Sequence, residues 1–279
     1  MTSVRDVHHF AYSAAEAERE IRFHEGVLGL RCVRREPRTL RGLSGEQLVF
    51  GTAEDPAEGF LVAYCLGADG PTGRRGSNGP DAPNLSVPAG SLGHWQTRLH
   101  DAHVEGRIEE VFGTKRLVFT APSGIPYALV ETGEPDSVAV SGSVAPALAV
   151  RGLHSVTVSL MDVRETHSFL LDLFGGEHTV QDLASGYYRF AAGAGAAGVE
   201  LLHQPYRAPG TWTYAVGTPH HIGLAVDDAA SREQLCERLR DAGYLDVSPV
   251  VEDTDHSTVW VRAPGGALVA LVCPTGSER

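Results

Sequence analysis

The chain is poor in what several large protein classes require. Among 279 residues there are only four cysteines, Cys32, Cys65, Cys236 and Cys273. None of them forms a C-x-x-C pair, so neither a zinc knuckle nor a disulfide framework is indicated. Basic runs are missing too: with a net charge of -12, no cluster is longer than Arg74-Arg75. Nucleic acid and anionic membrane surfaces are therefore poor partners, and a neutral or cationic small molecule fits the balance better. No window approaches the ~18 apolar residues of a membrane helix, and Met1-Thr-Ser-Val-Arg-Asp lacks an apolar signal region. The expectation is a soluble, cytoplasmic protein. What is present is a 42% hydrophobic chain with 32 glycines, enough for one large or two ordinary cores with many turns.

The main internal feature is a unit of strand, helix and Gly-punctuated strands that recurs about every 50 to 70 residues. The first unit runs from Val7-His8-His9-Phe10-Ala11-Tyr12, through a helix ending near Gly26 to Leu30, to Gly59 to Tyr64. The second has Asn84 to Val87, a helix from Gly90-Ser-Leu, and strands at Leu117 to Phe119 and Tyr127 to Val130. The third opens at Leu153 to Leu160, continues in a helix from Val163 to Phe174 and ends at Val199 to Leu202. The fourth opens at His220 to Val226, has a helix from Ala229 to Ala242, and closes with Thr258 to Val261 and Ala267 to Val272. Gly67 to Pro83 and Thr132 to Ala149 read as connectors, rich in Gly, Pro, Ser and Ala. The expected organisation is an N-terminal domain 1–135, a linker 136–149 and a C-terminal domain 150–279.

Side chains alternate across a strand, which sorts each opening strand into two faces. Ile222, Leu224 and Val226 form a core stripe, leaving His221, Gly223 and Ala225 on the other side; Phe10 and Tyr12 are divided in the same way from His9, Ala11 and Ser13. Small residues around a histidine suit the wall of a ligand cavity. His8, His154 and His220 fall on the opposite face and read as packing or supporting histidines. His94 sits in a helical context and is set aside. The helix 229–242 carries Leu235, Cys236, Leu239 and Ala242 on one face, with Arg232, Glu233, Glu237, Arg238 and Arg240 as its charged surface.

Four βαβββ units, with histidines on opening strands and P-x-G turns (Pro122-Ser-Gly124, Pro264-Gly-Gly266) before closing strands, resemble the vicinal oxygen chelate superfamily. Glyoxalase I, extradiol dioxygenases and bleomycin-resistance proteins belong to it. The segments Arg74-Arg-Gly-Ser-Asn78, Val87-Pro-Ala-Gly-Ser-Leu92, Arg151-Gly-Leu-His-Ser155, Leu201-Leu-His-Gln-Pro205, Gly210-Thr-Trp-Thr213 and His220-His resemble hydroquinone-type ring-cleaving dioxygenases. The resemblance implies an α+β fold of four βαβββ modules in two domains with curved mixed sheets. It also implies Fe(II) or Mn(II) held by two histidines and a glutamate, an arrangement that leaves positions open for substrate and O2.

The family pattern places the two histidines at His9 and His221. The glutamate position, four residues after Gly266, is Ala270, and its counterpart after Gly124 is Ala128, so the carboxylate is absent. Where the family has an Arg and a Tyr near the substrate, this chain has Asp253 and Asp255, followed by His256. Asp255 shares a strand face with Ser257 and Val259 and is expected to approach the cavity; Asp253, His256 and Ala270 are expected to border the substrate. Glu200 lies on the third unit's closing strand near Ser155 and reads as a salt-bridged or solvated residue.

Three functions remain open. One is a ring-cleaving-dioxygenase-like enzyme acting on a phenolic or quinone-like small molecule through an atypical metal site, with Asp255 or water replacing the glutamate. The second is a metal-free catalyst in natural-product metabolism, with His9 and His221 as acid and base and Asp255 orienting one of them, for isomerisation, cyclisation or ring opening. The third is a binding protein that sequesters an antibiotic or aromatic metabolite. A homodimer is compatible with each.

Overall fold

A computed structural model describes residues 4–40, 42–52, 59–133, 143–175, 179–182, 184–191, 197–210, 215–253 and 256–275. Two eight-stranded mixed sheets, each a curled half-barrel, make up the fold. The first runs from edge to edge as β14 (Val251–Glu252), β15 (His256–Arg262), β16 (Leu268–Pro274), β13 (Thr218–Ala225), β1 (Asp6–Ala14), β4 (Leu61–Cys65), β3 (Leu43–Gly51) and β2 (Arg31–Leu40). The second runs β10 (Thr179–Asp182), β11 (Tyr187–Ala191), β12 (Gly198–His203), β9 (Gly152–Leu160), β5 (Gly79–Pro88), β8 (Pro126–Thr132), β7 (Thr114–Thr120) and β6 (Gly106–Val111). Units one and four thus share one sheet and units two and three the other, so each sheet takes strands from both halves of the sequence.

Pairing is the same in both. β1 is antiparallel to β13 and parallel to β4, while β13 is parallel to β16. β9 is likewise antiparallel to β5 and parallel to β12, with β5 parallel to β8. The β15 to β16 turn needs Gly265 and Gly266, at φ +80° and +102°, values that side-chain-bearing residues seldom adopt.

The core stripes of the opening strands behave as their alternation implies. Phe10, Tyr12, Val156, Val158, Ile222 and Leu224 join one buried cluster with the apolar faces of α2 (Leu92–Asp101), α3 (Arg164–Phe174) and α4 (Ala229–Asp241). α4 starts at Asp228, whose carboxylate accepts the Ser231 N–H at 2.7 Å.

Two expectations are corrected. Arg232 is buried rather than part of a charged surface: it reaches under β15 and β16, donating to Ser257 Oγ at 2.5 Å and to Cys273 Sγ at 3.2 Å. The stretch Gly67 to Pro83 is not all connector, because β5 already begins at Gly79. Pro80 and Pro83 stand opposite Val158 and Val156 of β9 on either side of a bulge, and pairing with β8 starts only at Asn84, so neither proline interrupts the β8 ladder. The first unit's helix is a short α1 (Ala17–Ile21) that continues as a π-helical turn over Arg22–Val27.

That turn places His24 in a buried polar cluster. Tyr12 donates to Glu20 Oε2 at 2.7 Å, and His24 Nε2 lies 3.0 Å from the Tyr127 hydroxyl. Burial pushes the Glu20 carboxyl up to about 7 and His24 down to about 4. Because the folded state holds the Glu20 proton more tightly than the unfolded chain does, this group's contribution is full below about pH 4.5 and is lost as pH rises through about 7, a loss of about 3 kcal/mol. Urea unfolding at pH 5 and pH 8 should therefore give Glu20→Gln a smaller decline than wild type. Parallel declines would contradict the burial argument.

Candidate functional site

β1 and β13 lie side by side at the centre of the first sheet, and each carries a His-His pair. The pairing register skips once on each strand: His8 has no partner between Val7↔Leu224 and His9↔Gly223, and His220 none between Ala11↔His221 and Tyr12↔Pro219. Each pair therefore combines a paired histidine with the extra residue of a bulge. A bulge re-aims the side chain it displaces. This corrects the expectation that His8 lies on the far face, since it lines the cavity; His220 meets His221 from the side of a smaller pocket. His8 Nδ1 lies 2.8 Å from His9 Nδ1, His9 Nε2 lies 2.8 Å from His221 Nε2, and His221 Nδ1 lies 2.5 Å from His220 Nδ1. Four imidazoles form one unbroken chain.

His9 and His221 are 7% and 2% exposed. Burial, reinforced by neighbouring histidines, holds both far below the ordinary imidazole value and moves His8 to about 4. These rings are accordingly neutral near pH 7. The chain borders a cavity of about 300 Å³, walled by Val49, Val62, Tyr64 and Trp260 and reached by Gln47, Arg5, Arg34 and Arg38. The Trp260 ring packs 4.7 Å from His221 and the Tyr64 ring 5.7 Å from His220.

Asp253, His256 and Ala270 line the cavity, as do His8, His9 and His221; His220 instead borders a smaller pocket beside Arg74 and Arg262. Asp255 lies outside the described residues. The face of β15 that meets the cavity carries His256, Thr258 and Trp260, while Ser257 bonds Arg232 and Val259 joins the core. The face expected for Asp255, Ser257 and Val259 is thus the inner one at both described positions. Sequence reasoning also missed Gln47, Arg34 and Arg38, on strands it did not place.

A metal can be tested against the donor set. The parallel strands beside each histidine strand offer two carboxylate positions: Val62, opposite Ala11 on β4, and Ala270, opposite Gly223 on β16. Both are apolar. Among the described residues no three His, Cys, Asp or Glu side chains converge as a metal site. Two neutral imidazoles would leave a divalent ion's charge uncompensated in a buried space. Among the described residues, the donors beside His9 and His221 do not fit Fe(II) or Mn(II) in the arrangement of two histidines and one carboxylate.

The second sheet makes the contrast concrete. Glu200 stands opposite Thr157 on β9, the place that Val62 occupies opposite Ala11. It is fully buried and accepts hydrogen bonds from Arg116 Nη1 and Ser155 Oγ, both at 2.9 Å. Asn84 Nδ2 donates to Ser155 and Thr157 at 2.8 and 3.0 Å. Where the first sheet has a cavity, the second has a polar plug.

No family model matches the chain. It is 27% identical over 271 residues to a chlorohydroquinone/hydroquinone 1,2-dioxygenase of Sphingobium indicum, covering 95% of this chain and 84% of the relative. A solved structure from Bacillus subtilis subsp. subtilis, provisionally named a dioxygenase, superposes with TM-score 0.87 at 22% identity, over 99% of this chain and 87% of the other. Glyoxalase I from Zea mays superposes with TM-score 0.68 at 13% identity, over 96% and 92%. The fold is that of the vicinal oxygen chelate superfamily, and the sequence relatives are ring-cleaving dioxygenases.

The plug yields a stability prediction. Deleting one partner of a buried ion pair strands the other charge, so Glu200→Ala should cost about 3–5 kcal/mol in urea unfolding. Replacing both partners with Glu200→Leu and Arg116→Met should recover most of it. A cost below about 1 kcal/mol for the single change would contradict a structural role for the pair.

Proposed function

We propose that this protein of the vicinal oxygen chelate fold is an enzyme for a phenolic or quinone-like small molecule, and that it moves protons rather than cleaving a ring through iron. One observation carries the reading: His9 and His221 meet at 2.8 Å inside a four-imidazole chain, while both neighbouring carboxylate positions are Val62 and Ala270. The hydroquinone substrates in the name of the Sphingobium relative support a hydroxylated aromatic ligand. The aromatic and apolar walls given by Tyr64, Trp260, Val49 and Val62 support it independently.

A neutral imidazole has one N–H and one lone pair. Three N···N contacts among four rings are all satisfied when every ring points its N–H in the same direction along the chain. Reversing that direction carries a proton from one end to the other without leaving a charge in the interior. A ligand hydroxyl at the cavity end gives up its O–H proton, the chain shifts, and His220 releases a proton on the side of the second pocket. The phenolate left in the cavity takes a proton at a ring carbon when His220 takes one up from the second pocket and the chain reverts, which gives the keto tautomer and restores the starting order of the N–H groups. One O–H bond breaks, one C–H bond forms and no electron leaves, so the class is isomerisation. A cytoplasmic location belongs to the same proposal, supported by four cysteines that are all unpaired.

Two assays test it. With hydroquinone or resorcinol in D2O, wild type should speed deuterium entry at ring carbon, and His9→Ala, folded by its melting temperature, should lose about 10²- to 10⁴-fold of that rate. With Fe(II) supplied, wild type should take up no O2 with hydroquinone, whereas Ala270→Glu should bind Fe(II) or Mn(II) at least about 10-fold more tightly. Iron-dependent O2 uptake matched to ring opening by wild type would overturn the proposal. Binding without exchange would turn it into a sequestering protein.

A further inference from the structure

Gln47 lies on β3 with its side chain in the cavity wall, 7% exposed, and its amide Oε1 is buried with no hydrogen-bond partner among the described residues. The register shows its setting. Gln47 stands opposite Tyr64 on β4, and two residues along, on the same face, Val49 stands opposite Val62. The row of Val49 and Val62 continues through Ala11 to His221. The amide thus borders an apolar floor that leads across the sheet to the histidines.

An unpaired buried amide oxygen is costly. A ligand that covers it with a methyl group leaves that cost in place, whereas one that brings a hydroxyl removes it. The hydroxyl suits the position whichever way the amide is turned, donating to its oxygen or accepting from its NH2. Val49 and Val62 bind a ring by shape alone and cannot make this distinction, because an apolar wall discriminates weakly between groups of equal size. The strand order separates β3 from the histidine strand β1 by β4, so the oxygen that meets Gln47 is a different one from the hydroxyl at the imidazole chain. About 300 Å³ is at the lower end of ligand-pocket volumes and matches a single ring with small substituents.

We infer that Gln47 is a specificity-determining residue of this cavity: it selects a single ring that carries a second hydroxyl, away from the one at the imidazole chain, over a ring of the same shape with a methyl group there. This rests on the reading that the cavity holds a phenolic ring, and it adds which residue reads the ring's far substituent.

The experiment is calorimetric titration of the full chain, under nitrogen, with hydroquinone and with 4-methylphenol, which differ only in a hydroxyl or a methyl group at one end of the ring. Wild type should bind hydroquinone about 10-fold or more tightly, although 4-methylphenol is the more apolar compound. Gln47→Leu should lose that preference and bind 4-methylphenol more tightly than wild type does, a gain that a damaged fold would not produce. Gln47→Met, unbranched and of similar length, should show the same reversal. Equal affinity for the two probes in wild type, or an undiminished preference for hydroquinone in both variants, would overturn the role of Gln47 while leaving the phenolic reading standing. Failure of wild type to bind either probe would end both readings.

Discussion

The contact between His9 and His221 depends on a missing side chain. Gly223 is the residue paired with His9 across β1 and β13, and a Cβ there would stand 2.4 Å from the His9 ring. Any larger residue would force that imidazole off its place over the strand. With the ring lying over Gly223, its Nε2 meets His221, while the two bulges bring His8 and His220 to the outer nitrogens. Backbone register, a glycine and two extra residues therefore assemble the imidazole chain, and its electrostatics follow from burial.

The two sheets show how one repeated frame can be put to two uses. Both present a parallel strand beside each opening strand, with a position facing inward at matching register. In the second sheet that position holds Glu200, paired with Arg116 and bound by Ser155, which fills the space with buried polar groups. In the first sheet Val62 and Ala270 leave the space beside the histidines open. A carboxylate beside neutral histidines would attract either a cation or a proton. Without one, His9 and His221 meet each other and the neighbouring imidazoles.

Much of this was legible in the sequence, and the rest failed for definable reasons. Period-two alternation separated Ile222 and Leu224 from His221 and Gly223, and the family pattern named together His9 and His221, which meet across 212 positions. The bulges were invisible because an extra residue is defined only by its partner strand; strict alternation sent His8 to the wrong face. Gln47, Arg34 and Arg38 were missed because the polar, arginine-rich stretch 31–51 carries little apolar period. The same limit applied to Arg232, which looked like surface charge until Ser257 and Cys273 were found beneath it.

The account depends most on His9 and His221 being neutral rings that share protons, rather than ligands of an ion. Nitrogen-15 NMR of histidine-labelled protein at neutral pH, with Fe(II) or Mn(II) added in a parallel sample, reads this directly. The account predicts neutral-imidazole shifts for both residues, through-bond coupling across the Nε2···Nε2 contact, and no specific broadening or shift of these two rings by metal. Selective loss of both signals at stoichiometric metal would contradict it.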